Sequence, residues 1–458
     1  MFRKLLVANR GEVAVRVART CRKMSVCPVA VFSEADRGAP WLEAFDEAIC
    51  LGPAHPARSY LDQEAILQAA QQADVQALHP GWGFLAENAL FATRVRHQGL
   101  AWVGPPPRAI RLMGDKALAR RTVASAGLPT IPGSEGTLDD IDQARRLAAE
   151  IGYPVLLKAT AGGGGKGMRI CRDESELAQG FTEASREAEA SFSNPGLYLE
   201  KFIERGRHIE FQLMADSWGA AVHLGERECS VQRRHQKLVE EAPSPVLDPA
   251  LRQHYGELVV QAALAVGYEG AGTVEFLREP GGKLYFMEMN TRLQVEHPVT
   301  EMISGIDLVE HQLRVAAGER LALRQEEITL DGHAIEARIN AEDPSDDFRP
   351  SPGEITRFDF PRQVDGARIR VDTHVLRPSE VPPFYDSLVA KVIAWGPSRP
   401  AAIAGLSACL AGARIEGVPT TIPAHLKILA HQAFTSGDYD TGTLEDIDLG
   451  SPAPHPSD

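Results

Sequence analysis

The sequence Pro154-Val155-Leu156-Leu157-Lys158-Ala159-Thr160-Ala161-Gly162-Gly163-Gly164-Gly165-Lys166-Gly167-Met168 joins a short apolar segment to a run of glycines. The apolar segment predicts a β-strand. Glycines have no side chains, so their backbone N–H groups can surround an anion closely, and Lys158 and Lys166 add positive charge. The stretch is not a P-loop, because Met168 closes it where a P-loop has Ser or Thr. It predicts an anion-binding loop, with a flexible hinge or linker as the alternative.

A second pattern lies in residues 272–296. Two strand-like segments, residues 273–277 and 284–288, flank Pro280-Gly281-Gly282, which predicts a β-hairpin. If Leu277 pairs with Leu284, Glu275 and Glu288 become diagonal neighbours on one face of the hairpin. Two close carboxylates repel each other unless a cation lies between them, and such oxygen ligands suit Mg²⁺ together with phosphate.

Beyond Glu288 the alternation continues, so Asn290, Arg292, Gln294 and Glu296 are expected on one face of an extended strand. A row of acid, amide and cation side chains predicts a polar site. The alternative is the solvated outer face of an antiparallel strand.

A third pattern is the cluster of positive charge in residues 227–237. Arg227, Arg233, Arg234 and Lys237 lie there with His235, in a chain that is acidic as a whole. The cluster is compatible with a binding site. A solvated charged loop is the alternative, because runs of charge are usually exposed.

The first 110 residues alternate strand-like segments, at residues 3–8, 28–33 and 76–79, with helical segments at residues 12–23 and 63–73. Such alternation predicts a parallel sheet covered by helices. The turn after the first strand lacks the GxGxxG pattern, so a dinucleotide site is not predicted. Further helices are predicted at residues 142–151, 251–266, 307–317, 399–410 and 421–429, and further strands at residues 198–202 and from His333 onward.

The composition is that of a globular protein: 458 residues, 44% hydrophobic and 24% charged, with a formal net charge of −14. The length predicts roughly three domains. The acidic balance argues against a nucleic-acid partner, since phosphate neutralisation needs a basic surface. The sequence contains no run of about 18 apolar residues, so no membrane span is predicted.

The six cysteines are scattered, without CxxC pairs or zinc-ligand spacing, which favours a reducing compartment. Cys229 is interpreted as a small buried apolar residue rather than a nucleophile. The basic N-terminus superficially resembles a transit peptide. Folded structure is nevertheless expected from residue 3 or 4, so the predicted location is the cytoplasm.

Taken together, these segments resemble the biotin carboxylase family of ATP-grasp enzymes over about residues 2–445. The matching motifs occur in the family's order along the chain. They are Ala8-Asn9-Arg10-Gly11-Glu12, His79-Pro80-Gly81, Met113-Gly114-Asp115-Lys116, the glycine stretch, Glu200-Lys201, Gln232-Arg233-Arg234-His235-Gln236-Lys237, Glu288-Met289-Asn290-Thr291-Arg292-Leu293-Gln294-Val295-Glu296-His297-Pro298 and Ala337-Arg338-Ile339-Asn340-Ala341-Glu342.

The resemblance implies an α/β fold, mixed α+β in its later part. It implies an N-terminal Rossmann-like parallel-sheet domain at residues 1–114 and an ATP-grasp domain at residues 115–317, with a mobile glycine-rich lid at about residues 130–203. A C-terminal biotin carboxylase domain would cover residues 332–445. Residues 446–458, which include three prolines, would form a disordered tail.

In that family, ATP phosphorylates bicarbonate, and the resulting carboxyphosphate delivers CO₂ to N1′ of biotin on a carrier protein. The resemblance therefore implies ATP, Mg²⁺ (or Mn²⁺) and biotin supplied in trans, with Glu275, Glu288 and Asn290 as metal ligands. The implied ATP-binding residues are Lys116, Lys158, Gly164, Gly165, Glu200, Lys201, Phe202, Ile203, His208, Gln232, His235, Glu275 and Glu288.

The resemblance also implies the catalytic residues. Bicarbonate would be bound by Lys237, Arg292, Gln294 and the backbone of Val295. Glu296 would be the general base that deprotonates bicarbonate. In addition, Arg338 would bind biotin and stabilise its developing enolate, a task suited to a permanently charged donor.

Three partners are implied: a biotin carboxyl carrier protein, carboxyltransferase subunits and a second copy of this chain in a homodimer. None of the eight methionines is followed by Lys, so the Met-Lys-Met biotinylation motif is expected on a separate protein. The expected assembly is an acyl-CoA carboxylase, in particular the acetyl-CoA carboxylase of fatty acid biosynthesis. Another ATP-grasp ligase and an inactive ATP-binding regulatory paralogue are the alternatives.

Several positions depart from the family pattern. Trp82 stands where Tyr is usual, Ala86 where Ser is usual, and residues 376–380 replace a Gly-Tyr pattern. In the first helix, Arg16 and Arg19 resemble the contact helix of the family dimer, whereas Lys23 stands where an acid is commoner. These departures concern the biotin pocket, the carrier surface and the dimer contact.

Overall fold

The computed structural model describes residues 1–134, 136–159, 168–192, 195–234, 236–376 and 378–450. The chain forms two compact units. The larger unit contains Met1–Gly127, Arg207–Glu275 and the chain from Glu288 onward. The smaller unit contains Leu128–Gly206 and Phe276–Met287.

The strands and helices are numbered in chain order. The strands are β1 (Lys4–Val7), β2 (Cys27–Ser33), β3 (Glu47–Gly52), β4 (Ala77–His79), β5 (Ala101–Trp102), β6 (Val155–Ala159), β7 (Met168–Cys171), β8 (Leu197–Lys201), β9 (Arg207–Ala215), β10 (Ala221–Arg233), β11 (Gln236–Ala242), β12 (Gly270–Arg278), β13 (Leu284–Asn290), β14 (His333–Asn340), β15 (Glu342–Asp343), β16 (Arg349–Pro350), β17 (Gly353–Ile355), β18 (Arg357–Asp359), β19 (Arg368–Thr373), β20 (Ser379–Val381), β21 (Leu388–Gly396) and β22 (Arg414–Glu416). The α-helices are α1 (Gly11–Lys23), α2 (Gln63–Gln72), α3 (Ala89–His97), α4 (Pro107–Gly114), α5 (Lys116–Ser125), α6 (Ile141–Ile151), α7 (Glu174–Phe192), α8 (Pro249–Val266), α9 (His297–Ser304), α10 (Leu308–Ala316), α11 (Arg399–Gly412), α12 (Ile422–Ala430) and α13 (Gln432–Ser436).

The N-terminal part of the larger unit contains a parallel sheet with strand order β3-β2-β1-β4-β5. Leu5, Leu6 and Val7 of the central strand β1 are fully buried, as expected for a strand covered on both faces. The Asn9 side chain, just after β1, donates hydrogen bonds of 2.7 Å to the carbonyls of Pro80 and Trp82. The ends of β1 and β4 are thereby tied together, and the predicted parallel sheet is confirmed.

The second large sheet has the order β13-β12-β9-β10-β11-β14-β21-β19. In the part of this sheet formed by β9, β10, β11, β14, β21 and β19, each strand is antiparallel to its neighbours. On β14, the alternate residues Ile335, Ala337 and Ile339 join an apolar core that includes residues of α11. Glu336 and Arg338 lie on the opposite face, because successive side chains of a strand alternate. This opposite face carries the polar residues of the candidate site.

The smaller unit contains an antiparallel sheet of order β7-β6-β8 packed against α6 and α7. Its core includes Leu157 and Leu199, which are fully buried. The predicted hairpin of residues 273–288 is confirmed: its turn is closed by hydrogen bonds of 2.9 Å from Glu279 N to Lys283 O and of 2.8 Å from Gly282 N to Glu279 O.

The predicted extended strand beyond Asn290 is wrong. β13 ends at that residue, and residues 291–296 are irregular before α9 begins at His297. Pro298 lies in the first turn of α9, where its ring favours the start of a helix. The alternative of a solvated face is also wrong, since Asn290, Gln294 and Glu296 are all buried.

The charged segment 227–237 is mostly a hairpin of β10 and β11 rather than an exposed loop. The Arg227 side chain is fully buried, and only toward the tip does exposure rise, to 71% for the Arg234 side chain. Cys229 is fully buried, and burial raises the pKa of its thiol well above the usual value, which agrees with its interpretation as a packing residue.

In helix α1, the Arg16 side chain has partners within the same chain. Arg16 is buried, and its guanidinium donates hydrogen bonds of 2.8 Å to both Glu301 and Asp307 of the same chain. The Arg19 and Lys23 side chains are 54% and 61% exposed. Only these two residues of the three remain available at the surface.

Among the described residues, no helix is long and apolar enough to cross a lipid bilayer. In the predicted tail, residues 451–458 lie outside the part of the chain that the structure describes.

Candidate active site

Glu296 lies at the centre of a buried cluster of charges in the larger unit. Its side chain is 3% exposed. Lys237 Nζ donates a hydrogen bond of 2.7 Å to Glu296 Oε1, and Arg338 Nη2 donates one of 2.9 Å to Glu296 Oε2. Although burial opposes its charge, Lys237 and then Arg338 hold the pKa of Glu296 well below its usual value. Glu296 is therefore a carboxylate at neutral pH.

Lys237 on β11 joins Glu296 to two other carboxylates. Its Nζ donates hydrogen bonds of 2.6 Å to Glu210 Oε2 and of 3.0 Å to Glu275 Oε1. Burial disfavours the ammonium group, but these carboxylates raise the pKa of Lys237 well above its usual value. Lys237 is therefore protonated and positively charged, although its side chain is shielded from solvent.

Glu275 on β12 collects the amide side chains of the site. Its Oε1 accepts hydrogen bonds of 2.9 Å from Asn290 Nδ2 and from Gln294 Nε2. His208 Nε2 lies 3.0 Å from Glu275 Oε2. Despite burial, Lys237 and then His208 hold the pKa of Glu275 well below its usual value. The sequence pattern placed Glu275, Asn290 and Gln294 together, and the structure brings them into contact.

Arg292 lies at the edge of this cluster, on the side nearer to solvent. Its Nη2 donates a hydrogen bond of 2.9 Å to Asn290 Oδ1, and its Nε donates one of 2.9 Å to Glu87 Oε2. Glu87 also accepts hydrogen bonds from the backbone and hydroxyl of Thr291, at 2.9 Å and 3.2 Å. The partnership with Glu87 was missed by the sequence reasoning, because Glu87 lies more than 200 residues away and follows no pattern.

The predicted metal ligands fit a divalent cation in their chemistry. Burial, and then the negative charge of Glu275, raise the pKa of Glu288, so a cation near both carboxylates would relieve their repulsion. The Glu288 side chain is 46% exposed, and its Oε2 lies 3.8 Å from Nζ of Lys116. His208, Glu210 and Glu275 form a second group, whose ligand atoms all lie within 4.8 Å of one another. Oxygen donors predominate in both groups, as Mg²⁺ prefers.

Other predicted ATP-binding residues lie in the smaller unit. Lys158 on β6 donates a hydrogen bond to the Glu200 carboxylate on the adjacent strand β8. Lys201 Nζ donates hydrogen bonds of 2.9 Å and 3.1 Å to the carbonyls of Gly152 and Tyr153, so its ammonium group has backbone partners. Phe202 and Ile203 follow β8 and are half-buried.

Four predicted ATP-binding residues remain. Gln232 on β10 pairs with Lys237 in the β10–β11 ladder. Gly164, Gly165 and His235 lie outside the described residues.

Three further buried side chains complete the cluster: Arg227, from the positively charged segment of the sequence, and Glu210 and Glu240, which the sequence did not single out. Arg227 Nε donates a hydrogen bond of 2.5 Å to Glu210 Oε1, and its Nη2 donates one of 2.8 Å to Gln294 Oε1. Glu240 accepts a hydrogen bond of 2.6 Å from Arg338 Nε. Burial raises the pKa of Glu240 to about 7, against the opposing effect of Arg338. One signal was available for Glu210: it lies two residues after His208 and so shares its strand face.

A cavity of about 170 Å³ lies beside the ends of β1 and β4, also in the larger unit. Its lining includes Asn9, Glu12, Trp82, His374 and Phe384. Trp82 Nε1 donates a hydrogen bond of 3.1 Å to Glu12 Oε1. The departure at position 82 therefore places an indole, with its own hydrogen bond, in the cavity wall.

The parallel-sheet domain, the mixed sheet and the buried row of lysine, arginines and carboxylates define a ligase of the ATP-grasp class. Three family models match the chain. They are "Biotin carboxylase, N-terminal domain" over residues 1–110, "Carbamoyl-phosphate synthase L chain, ATP binding domain" over residues 115–324 and "Biotin carboxylase C-terminal domain" over residues 336–446.

Full-length relatives agree with these models. A biotin carboxylase of Nostoc sp. is 51% identical over 97% of this chain and 99% of its own. A pyruvate carboxylase subunit of Methanothermobacter thermautotrophicus is 49% identical over 98% of this chain and 91% of its own. The solved biotin carboxylase domain dimer of Hydrogenobacter thermophilus 2-oxoglutarate carboxylase, in complex with MgADP, ADP and bicarbonate, is 48% identical. It has a TM-score of 0.89 and covers 99% of this chain and 100% of its own.

The chain belongs to the biotin carboxylase family. The predicted family, the fold class and the assignment as an ATP-dependent ligase are therefore confirmed. The relatives belong to carboxylases with different acceptors, so membership of the family does not select acetyl-CoA.

Proposed function

We propose that this chain catalyses the ATP- and bicarbonate-dependent carboxylation of N1′ of biotin carried by a separate protein. The observation that carries the proposal is the position of Glu296: a buried carboxylate held by Lys237 and Arg338. Such an arrangement can bind an anion, remove its proton and stabilise a second developing anion nearby.

The proposed nucleotide-binding residues are those named from the sequence, among them Lys116, Lys158, Glu200 and His208. Glu275, Glu288 and Asn290 would hold Mg²⁺, which supplies charge neutralisation for the phosphoryl oxygens when bound. The support from the structure is the ionised state of Glu275 and its hydrogen bond with Asn290. Relatives with named nucleotide and magnesium ligands are consistent with these cofactors.

Bicarbonate would bind to Lys237, Arg292, Gln294 and the backbone of Val295, next to Glu296. In the free site, Lys237 and Arg338 lower the proton affinity of Glu296. An anion that takes over part of the positive charge of Lys237 would raise that affinity, because less charge would then face Glu296. Glu296 could then accept the bicarbonate proton while a bicarbonate oxygen attacks the γ-phosphorus of ATP and ADP leaves.

Arg338 is the proposed partner of biotin. After carboxyphosphate breaks down to CO₂ and phosphate, the released phosphate would take the N1′ proton of biotin, so that negative charge develops on the ureido oxygen. N1′ then attacks CO₂, and the N1′–C bond of carboxybiotin forms. The guanidinium of Arg338 is held by Glu240 and Glu296, so it would need no reorganisation to face that oxygen.

We further propose that the chain works as one component of an acyl-CoA carboxylase, in particular the acetyl-CoA carboxylase of fatty acid biosynthesis. Its partners would be a biotin carboxyl carrier protein, carboxyltransferase subunits and a second copy of this chain. The cytoplasm is the proposed location, supported by six cysteines that are all free thiols in the structure. Purifying the tagged chain and identifying the biotinylated carrier and carboxyltransferase that accompany it would test the assembly and its acceptor.

The reaction itself is tested by ADP formation with and without bicarbonate, and then with free biotin. We expect bicarbonate-dependent ATP hydrolysis that biotin stimulates. Glu296→Gln and Arg338→Ala should lower biotin-coupled turnover by about 100-fold or more, while Mg-ATP still raises the melting temperature. The exposed Glu354 on β17 provides a matched control, Glu354→Gln, which should keep wild-type turnover.

Each contrary result has a distinct meaning. Full activity in both site variants would overturn the assignment of Glu296 and Arg338. ADP formation that depends on another acceptor, and not on bicarbonate, would indicate a different ATP-grasp ligase. A wild-type protein whose melting temperature Mg-ATP raises, but which forms no ADP in any of these assays, would indicate an inactive ATP-binding paralogue.

A further inference from the structure

Lys391 on β21 is a fully buried cation outside the predicted set of site residues. Its Nζ donates a hydrogen bond of 2.7 Å to the backbone carbonyl of Val295 and lies 3.1 Å from Glu12 Oε2. Burying an ammonium group is costly unless it is paired and hydrogen-bonded. The Val295 carbonyl and Glu12 are two partners of this kind.

The pairing of β14 with β21 places Lys391 directly opposite Arg338. Residues directly opposite each other in an antiparallel ladder share a face of the sheet. These two cations contact consecutive residues: Lys391 the carbonyl of Val295, and Arg338 the carboxylate of Glu296. Together they hold the Val295–Glu296 dipeptide at two points, its central carbonyl and the Glu296 side chain, from one face of the sheet.

The segment held in this way has no strand partner. Residues 291–296 are irregular, and Glu296 is the N-cap residue of α9. The carbonyl of Gln294 faces the His297 ring, with Nδ1 at 2.7 Å, and so belongs to a local turn. The carbonyl of Val295 is instead held by a side chain nearly 100 residues away. Because the peptide group is planar, holding this carbonyl also fixes the N–H of Glu296, the next residue.

The counter-ion comes from another part of the fold. Glu12 lies in the first turn of α1, is 3% exposed, and accepts the hydrogen bond of Trp82 with its other oxygen. The parallel-sheet domain thus contributes one of the carboxylates around Lys391; Asp372, directly opposite on β19, and Glu336 on β14 also interact with its charge. A continuous set of contacts leads from Trp82 through Glu12 and Lys391 to Val295.

We propose that Lys391 is a positioning residue for the bicarbonate step, with Glu12 as its counter-ion. The inference rests on the proposed function, in which the Val295 backbone binds bicarbonate and Glu296 deprotonates it. Lys391 fixes the peptide that joins these two residues, and so fixes the backbone from which the Glu296 carboxylate reaches the anion held beside Val295. Misplacement of reacting groups by about 1 Å can cost about 100-fold in rate.

The test uses Lys391→Met and the double variant Lys391→Met/Glu12→Gln in the full-length protein. Lys391→Met leaves the Glu12 charge without its counter-ion, whereas the double variant removes both charges and is the better candidate to fold. We expect kcat/KM for bicarbonate in ATP hydrolysis to fall by about 30-fold or more in each folded variant. The rise in melting temperature with Mg-ATP should stay as in the wild type. Lys391→Arg, which retains a charged donor, should recover part of the activity.

The matched control removes a buried cation elsewhere on the same sheet. Arg399 donates hydrogen bonds of 2.7 Å and 2.9 Å to Glu241, which follows Glu240 on β11 and therefore lies on the opposite face of the sheet from it. Arg399→Met should lower the melting temperature without changing kcat/KM for bicarbonate. A loss of activity in Arg399→Met equal to that in Lys391→Met would indicate a general loss of stability and overturn the proposed role.

Other outcomes separate the inference from the proposed function. A folded Lys391→Met/Glu12→Gln variant with wild-type kcat/KM for bicarbonate would overturn the positioning role while leaving the proposed function in place. A wild-type protein without bicarbonate-dependent ATP hydrolysis would instead overturn the proposed function, and this inference with it.

Discussion

At the scale of single residues, Glu275 is the acceptor that organises the site. It receives hydrogen bonds from Lys237, Asn290 and Gln294. The alternation around the hairpin predicted that Glu275, Asn290 and Gln294 belong together, even though the strand beyond Asn290 is absent. Asn290 and Gln294 both reach Glu275, but they do so because the chain turns after β13, not because they lie on one face of a continuous strand.

The partners Glu240 and Lys391 could not be predicted in the same way. Each meets the site through strands that are distant in sequence, so their contacts depend on the order of strands in the sheet. Local periodicity carries no information about that order.

The first residue-scale prediction concerns Glu275→Gln. The amide would keep hydrogen bonds but lose the charge that attracts a divalent cation. We expect the free Mg²⁺ concentration for half-maximal bicarbonate-dependent ATP hydrolysis to rise by about 10-fold or more. The measurement is ATP hydrolysis against free Mg²⁺ at fixed ATP. Glu279→Gln, at the turn of the same hairpin, should respond to Mg²⁺ like the wild type. An unchanged magnesium dependence in Glu275→Gln would argue against Glu275 as a ligand.

At the scale of elements, α11 illustrates what propensity can and cannot predict. The helix was expected at residues 399–410, and the structure has it at Arg399–Gly412. Ser398 caps it by accepting a hydrogen bond from Ala401 N, and a proline lies in its first turn, so local signals were sufficient for the helix itself. Local signals do not predict how closely α11 packs against neighbouring segments of the chain. That distance depends on Gly405, which has no side chain.

The element-scale prediction is that Gly405→Ala destabilises the protein. In an isolated helix this change would be favourable by about 1 kcal/mol. Here a Cβ on Gly405 would lie only 2.3 Å from Cβ of Ala367, so the helix would have to shift. We expect the free energy of unfolding to fall by about 1–3 kcal/mol, measured by urea denaturation.

Ala367→Gly provides the control, because it removes the atom with which the new Cβ collides. In the Ala367→Gly background, Gly405→Ala should cost much less or become favourable, which a double-mutant cycle measures directly. Equal costs in both backgrounds would show that the close approach of these two residues does not limit the packing of α11.

At the scale of the whole molecule, the parallel sheet was predictable and the mixed sheet was not. Alternating strands and helices in the first 110 residues imply a parallel arrangement, and strands β1, β2 and β4 occur where expected. In the mixed sheet, β11 pairs with β14, and β14 pairs with β21. These strands are separated by long stretches of chain, and nothing in local sequence selects one antiparallel neighbour over another. The site depends on that selection, because it places Lys237, Arg338 and Lys391 on successive strands.

The dependence of stability on pH is also a property of the whole molecule, and His425 provides a test. Its ring is fully buried on α12, and Nε2 lies 2.6 Å from the carbonyl of Arg338. Burial lowers the pKa of His425 from its usual 6.5 to about 4. As pH falls below about 6.5, the unfolded chain binds a proton that the folded chain does not, so the stabilising contribution of His425 decreases down to its folded pKa. Between about pH 7.5 and about pH 5 this contribution amounts to about 2 kcal/mol.

His425→Gln, which retains an N–H donor, should therefore lose less stability over that interval than the wild type, as measured by urea denaturation at both pH values. The exposed His97 provides the control: His97→Gln should keep the wild-type difference between the two pH values. An identical loss in His425→Gln and the wild type would mean that the buried ring is protonated in the folded protein, and that the contact behind Arg338 carries a charge.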